Sequence, residues 1–505
     1  MISRLYSGSI IGIETILVEI EVDLQPKVKG FEIVGLAGLA VKESVKRIEA
    51  AIMNSGFHFP GKQIVVNLAP AGIKKVGTLF DLPIALGILN NAYDFGNLSD
   101  TVLVGELALD GQLRRIPGSL SIAIKAKELG FKRILCPYDN ASEMAIIKDI
   151  RIVPLKNLEE AVSYLTNCIE APLFCETETA CTASGVEKYL DMSEIKGQES
   201  AKRAIEIGAA GNHNLLMIGP PGTGKTMLAK RIPTILPPMD MEEALETTMI
   251  YSVVGLTNPE NPLIRNRPFR NPHHTASDVS IVGGGKFPRP GEISLAHNGV
   301  LFLDEFQQFR SNVLQVLRQP MEERTVTISR AEGSVMFPAK FMLVAALNPS
   351  KKNTDIDQWS FKDMEAILNK LSSPLLDRID LHIQVSRINY EKLKSKHNTE
   401  SSSDIRERVI QARKIQRARL KEYGLYTNSE MSHKLIEEFC KLDTNSERLL
   451  RLAMEKFMLS IRTYDKILKI ARTIADLENK ENIETQHISE ALQYRVLDRI
   501  MGLVA

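Results

Sequence analysis

The stretch Leu215 to Thr226, LLMIGPPGTGKT, constrains this chain more than any other. An apolar run breaks into a glycine-rich turn that ends in Lys-Thr and fits G-x-x-x-x-G-K-[ST] from Gly219 to Thr226. That pattern requires a strand, a loop and then a helix. Within the loop of Gly219, Pro220, Pro221, Gly222, Thr223 and Gly224, the glycines let backbone N–H groups turn toward nucleotide phosphates, and the helix adds its positive N-terminal end. Lys225 is expected to reach the β- and γ-phosphates and Thr226 to ligate Mg²⁺, so ATP and Mg²⁺ are the expected ligands.

At 505 residues the chain exceeds what one hydrophobic core organises, and roughly three domains are expected. Charged residues make up 25% and hydrophobic ones 44%, the proportions of a soluble globular protein. A net charge of +1 gives no overall field toward nucleic acid, so a DNA-binding surface must be a local concentration. The N-terminal stretch MISRLYSGSIIGIETILVEIEVDL interrupts its apolar residues with Glu14, Glu19, Glu21 and Asp23, which excludes a signal peptide and a membrane span. Five cysteines, Cys136, Cys168, Cys175, Cys181 and Cys440, form no CxxC pair. Reduced thiols, a cytoplasmic location and no membrane partner are expected.

The fold class read from these patterns is α/β with a helical C-terminal part. Residues 1–167 form the first expected domain, with strands at Ile16–Val22, Ile64–Leu68, Thr101–Leu107 and Arg133–Cys136, and helices at Ala40–Ile52 and Ile122–Leu129. Residues 168–190, CIEAPLFCETETACTASG and its flank, lose periodicity and read as a linker. The nucleotide domain is expected at 191–390. In it, Val300–Leu303 reads as a buried parallel strand ending at Asp304-Glu305, an acid pair placed to hold Mg²⁺ and to polarise the attacking water respectively. Phe341–Leu347 reads as a further strand ending at Asn348, and RTVTISRAEGSVMFP as a hairpin containing Arg330. Residues 391–505 read as helical, with a helix start at Ser401 to Asp404 and a stop at Gly424.

The segments FEIVGLAGLAVKESVKRIEAAIMNSGFHFP, VNLAPAGIKKVGTLFDLPIALGIL and GELALDGQLRRIPG, with the phosphate loop and SSPLLDRIDL after it, resemble the ComM/YifB family of magnesium-chelatase-like AAA+ proteins over nearly the whole chain. The resemblance implies an N-terminal Lon-protease-like domain, a P-loop AAA+ core and a helical lid. A Ser-Lys dyad would make the first domain a peptidase, but between Ile73 and Leu89 Thr78 is the sole hydroxyl, and the matching lysine position falls at Leu120 to Ile122. A non-catalytic domain is therefore expected. By the same resemblance Ile195, Gly197 and Gln198 lie beside the adenine, Asn348 is the polar sensor, Arg378 is an arginine finger reaching a neighbouring subunit's ATP, and Arg462 is a second sensor in the lid. The alternative for Arg378 is a structural arginine paired with Asp377 or Asp380.

The long insert RNRPFRNPHHTASDVSIVGGGKFPRPGEISLAHNGV is similar to the family's channel-facing insert. With Arg270, Lys286, Arg289 and the hairpin's Arg330 it is expected to grip DNA phosphates without reading sequence, the alternative being a solvated basic surface. His273, His274 and His297 lack zinc-ligand spacing. The resemblance departs after Asn348-Pro349, where SKKNTDIDQW replaces a cysteine-bearing stretch of the kind NPCPCG. Taken together it implies a homo-hexameric, ATP-driven DNA translocase or helicase, acting on single-stranded or branched DNA in branch migration. A chelatase-like motor and a protein-remodelling ATPase are the other readings.

Overall fold

The computed structural model describes residues 2–75, 77–169, 190–330, 333–348, 373–387 and 399–498, with the Leu39, Ala40, Arg330 and Ser373 side chains outside that description. Most of the expected linker, with Cys175 and Cys181, the segment after Asn348 with Trp359, and the turn Ala331-Glu332 therefore lie outside the described residues. The chain is α/β with a helical C-terminal part, as expected, and divides into two compact units.

The first unit comprises Met1–Thr182 together with Met241–Ile264 and Ser329–Phe337. Its main sheet has seven strands in the order β3-β4-β2-β1-β5-β8-β9. They are β1 (Ile2–Ile11), β2 (Glu14–Gln25), β3 (Gly30–Val34), β4 (Gln63–Ala69), β5 (Thr101–Leu103), β8 (Arg133–Pro137) and β9 (Arg151–Leu155); β6 (Glu106–Leu107) and β7 (Leu113–Arg114) form a separate hairpin. The expected strand Thr101–Leu107 is thus two strands. The break at Gly105 has a cause: its N–H donates to Leu79 O and its carbonyl accepts from Leu82 N, so the backbone leaves the sheet to cap the start of helix Asp81–Tyr93. That helix buries every residue from Asp81 to Leu89, which erases the amphipathic signal. The helix expected at Ile122 begins earlier, at Ser119.

A buried carboxylate organises one end of this unit. Glu143, 2% exposed, accepts from Leu120 N at 3.1 Å, from Thr257 Oγ1 at 2.6 Å and from the Ser252 hydroxyl, while Arg115 Nη2 lies 3.4 Å away and donates to Thr257 O at 2.8 Å. Gly118 N donates to Ser252 O at 2.9 Å. Helix Met241–Val253 and the turn after it, which follow the phosphate loop in sequence, are thereby held as part of the first unit. Where a Lon-type dyad would lie, the Thr78 hydroxyl donates to Glu106, Lys75 gives its buried ammonium to the carbonyls of Gly35, Leu68 and Pro70, and Leu120 and Ile122 are buried.

The second unit comprises Ala183–Asp240, Arg265–Ile328 and Pro338–Ala505. Its five-stranded sheet runs β11-β14-β17-β10-β18, from β10 (Leu215–Ile218), β11 (Phe269–Arg270), β14 (Val300–Leu303), β17 (Met342–Leu347) and β18 (Leu381–Gln384), every pair parallel. Val300–Leu303 falls where the apolar run placed it and is buried throughout, as a strand covered on both faces must be. Two hairpins leave this frame: β12 (Gly283–Gly284) with β13 (Arg289–Pro290), and β15 (Thr325–Arg330) with β16 (Gly333–Pro338). Helices Ser402–Leu420, Thr444–Phe457 and Ile461–Leu477 share one apolar core with the phosphate-loop helix Lys225–Ile235. The first begins as expected at a Ser401–Asp404 capping box.

Candidate functional site

Parallel strands deliver the residues that follow them to one edge of the sheet, and here that edge collects Gly219 after β10, Asp304 and Glu305 after β14, and Asn348 after β17. The phosphate loop packs tightly at its start: a Cβ on Gly219 would lie 2.1 Å from Val385 O, so no side chain fits there. At its end Gly224 takes φ +92° and leads directly into the helix beginning at Lys225.

Lys225 is 6% exposed, and its ammonium donates to Gly219 O and Pro220 O, each at 2.8 Å. Burial pushes its pKa below the ordinary lysine value, and the nearby Asp304 carboxylate opposes that shift. A buried cation held by carbonyls of its own loop, at a helix N-terminus, is an anion site in want of charge. Thr226 Oγ1 donates to Asp304 Oδ2 at 2.9 Å, so a hydroxyl and a carboxylate oxygen, the donor types a Mg²⁺ ion takes, already meet. These residues fit both the nucleotide and the metal.

Glu305 stands next in the chain with φ +50°, a left-handed backbone that costs a non-glycine residue about 1 kcal/mol or more. Its N–H donates to Asp304 Oδ1 at 2.9 Å, and its Oε2 lies 3.5 Å from His274 Nδ1. Asn348 Oδ1 is buried with no hydrogen-bond partner among the described residues. Ile195 is buried, Gly197 and Gln198 both take positive φ, and the Gln198 amide donates to Ser386 O at 2.6 Å, beyond the end of β18. This segment is thereby tied to the same sheet edge.

The remaining expected site residues stand differently. Arg378 is paired within its own chain, Nη2 lying 2.6 Å from Glu322 Oε1 and Nη1 donating to Pro374 O, so its ion-pair partner is neither Asp377 nor Asp380. Arg462 is exposed in the first turn of the helix Ile461–Leu477. Arg270 lies in β11 and forms a bidentate pair with Glu292 at 2.6 and 2.7 Å, while Lys286 and Arg289 are exposed about the tip of the β12–β13 hairpin with Phe287, itself 42% exposed, between them. Arg330 ends β15. His273 and His274 stack at 4.2 Å, and His297 Nδ1 accepts from Lys340 N. Among the described residues no cluster of three or more metal-ligating side chains forms. Sequence reasoning missed the His274–Glu305 contact, which no spacing rule announces because the two residues come from separate loop segments that only the fold brings together.

Comparison with known proteins gives this geometry its lineage. Family models described as magnesium chelatase, subunit ChlI, match residues 191–393; as subunit ChlI of Mg-chelatase, residues 20–140; and as the C-terminal part of that subunit, residues 399–495. The competence protein ComM of Haemophilus influenzae is 43% identical over 98% of both chains. Two uncharacterised proteins called YifB are also similar, that of Salmonella typhimurium at 40% identity over 98% of this chain and 97% of its own, and that of Escherichia coli at 39% over 99% and 98%. With full-length similarity at this level and the glycine-rich loop, Asp304, Glu305 and Asn348 at one sheet edge, the chain belongs to the ComM/YifB family of magnesium-chelatase-like AAA+ proteins.

Proposed function

We propose that the chain is an ATP hydrolase that works as a homo-hexameric DNA translocase, promoting branch migration in recombination or natural transformation. The observation that carries the ATPase half is the joining of Thr226 to Asp304 at 2.9 Å beside the buried Lys225. In this reading Lys225 exchanges its two carbonyl partners for the β- and γ-phosphates, and Glu305 orients the attacking water. A Mg²⁺ ion held by Thr226 and Asp304 would neutralise charge on the phosphate oxygens. Asn348 offers its unpaired amide oxygen to that water, and Arg462 contacts the nucleotide from the lid. Arg378 leaves Glu322 and stabilises the γ-phosphoryl group in the neighbouring subunit.

The DNA half rests on the β12–β13 hairpin, where Lys286 and Arg289 flank an exposed phenylalanine, a tip suited to a phosphate backbone and a base face. The name of the Haemophilus relative, a competence protein, agrees with handling DNA. A chelatase-like role is the second reading, favoured by the descriptions of the matching family models.

The deciding experiment is ATP hydrolysis by the purified protein alone and with single-stranded, duplex and four-way-junction DNA at two salt concentrations. Stimulation that weakens with salt is the expected result, greatest with the junction. Basal hydrolysis indifferent to every DNA would overturn the translocase reading in favour of the chelatase-like or protein-remodelling one. Glu305→Gln is expected to bind ATP and not turn it over.

A further inference from the structure

We propose that Lys466 is a positioning residue for Arg378: from the helix Ile461–Leu477 its ammonium grips the backbone on both sides of that arginine and fixes where the guanidinium stands. The inference rests on the reading above that Arg378 serves a neighbouring subunit's nucleotide.

Arg378 sits in the turn between the short helix Ser373–Leu376 and β18, and polar side chains take up the carbonyls of that turn. Lys466 Nζ donates to Asp377 O and, at 3.0 Å, to Ile379 O. The Asn214 amide donates to Arg378 O at 3.2 Å, and Arg495 Nη1 donates to Ile379 O at 2.8 Å and to Asp380 O at 3.0 Å. Each carbonyl from 377 to 380 thus accepts from a side chain that lies far away in sequence.

The three holders are not equivalent. Asn214 belongs to the sheet, since its Oδ1 accepts from Leu343 N at 2.9 Å and its main-chain carbonyl accepts from Asp380 N and Leu381 N. Arg495, 1% exposed and anchored by Asp498, reaches only the carbonyls that follow Arg378. Lys466 touches the residue before Arg378 as well as the one after it. With Asp380 Oδ1 at 3.4 Å, its three N–H donors face two carbonyls and a carboxylate, which leaves the ammonium one place to stand.

The guanidinium depends on that grip because little else holds its stem. Nη2 lies 2.6 Å from Glu322 Oε1 and Nη1 donates to Pro374 O, while Nε is buried with no partner among the described residues. Once the head leaves Glu322 for a phosphoryl group, its reach is set by the Cα, and the Cα is set by the two peptide groups that flank it. A misplacement of about 1 Å can cost about a hundredfold in rate.

The test is steady-state hydrolysis by the full-length wild type, Lys466→Met, Lys466→Arg and Arg378→Ala, each alone and mixed with Glu305→Gln chains. Methionine keeps an apolar stem and removes the ammonium. Lys466→Met is expected to lower kcat about tenfold to a hundredfold with KM for ATP within about twofold, because its own nucleotide site is intact. Lys466→Arg can still donate to both carbonyls and should recover part of the loss. In mixtures, Lys466→Met should regain activity beside Glu305→Gln as Arg378→Ala does, since a well-placed Arg378 then meets the intact Glu305 of the Lys466→Met chain. A general fault in the helical region would stay with that chain's own nucleotide, and no mixture would cure it. Rescue of Arg378→Ala without rescue of Lys466→Met therefore overturns the proposal. An unchanged kcat overturns it too, as does a Lys466→Met chain that circular dichroism shows to be unfolded, for Lys466 would then be a residue of the core. If neither variant is rescued, the role of Arg378 at a neighbour's nucleotide fails and the proposal falls with it.

Discussion

Lys225 and Asp380 show how single charges are spent in the ATPase unit. The Lys225 ammonium is hydrogen-bonded to two loop carbonyls, with the Asp304 carboxylate nearby, and exchanging those carbonyls frees its charge for a phosphate. Lys225→Ala should weaken ATP binding by about tenfold to a hundredfold, the worth of charge-assisted hydrogen bonds, and a fluorescent-nucleotide titration reads that loss. Asp380 faces the other way. Lys466 Nζ at 3.4 Å, His213 Nδ1 at 3.7 Å and the Asn214 N–H at 3.0 Å surround it, and although burial pushes its pKa up, these partners hold it well below the usual carboxylate value. Between that depressed value and the ordinary one near 4, the unfolded chain binds more protons, so stability rises with pH there. The contribution is complete above about pH 4 and is lost as pH falls below it. Asp380→Asn should therefore lower Tm at pH 7, costing about 3 kcal/mol, with the deficit shrinking in acid. A deficit constant from pH 7 to pH 3 would refute the assignment. The phosphate loop was legible because its chemistry is local, Gly219 through Thr226 in one run. The approach of His274 to Glu305 was not, because it joins two loop segments that no local pattern links.

At the scale of elements, the buried strands β10, β14 and β17 were readable as short apolar runs closed by the polar residues they deliver. Readability failed where backbone bonding overrode side-chain pattern, as at Gly105, and where burial on all sides removed periodicity, as in helix Asp81–Tyr93. The basic insert shows a third case. Its arginines look alike in sequence, yet Arg270 is consumed by Glu292 and Arg267 donates to Pro237 O and Asn298 O, while Lys286 and Arg289 remain exposed. The prediction is specific to that split. Lys286→Ala with Arg289→Ala should weaken binding to single-stranded DNA and make the slope of log K against log salt shallower by about 1.4, two phosphate contacts' worth. Arg270→Ala should instead lower thermal stability, read as a fall in Tm, by uncovering Glu292.

For the whole molecule, the proposed hexamer is what would give Arg378 a catalytic role. In one chain its Nη atoms are taken by Glu322 and Pro374 while Nε is buried without a partner among the described residues, so a catalytic role requires a neighbour's nucleotide to compete for the guanidinium. Arg378→Ala should abolish hydrolysis while sparing ATP binding, and rings mixed with Glu305→Gln chains should regain part of the activity at interfaces that pair an intact Arg378 with an intact Glu305. Failure of every mixture to regain activity would place Arg378 in a structural role. The motifs were legible in order, but the allegiance of Met241–Ile264 was not: its sequence position lies inside the expected nucleotide domain, and Glu143, which holds it, lies far upstream.

That allegiance bears on how such a protein can be inherited. The chain enters the first unit, leaves it, and returns to it twice, at Met241–Ile264 and at Ser329–Phe337. A recombination event that moved residues 1–182 as a cassette would carry Glu143 without Ser252 and Thr257, and leave behind a helix with nothing of its own unit to cover it. Neither half is a transferable part. Cutting the chain after residue 182 would strip Glu143 of two hydroxyl partners and leave that end of the first unit open to proteases.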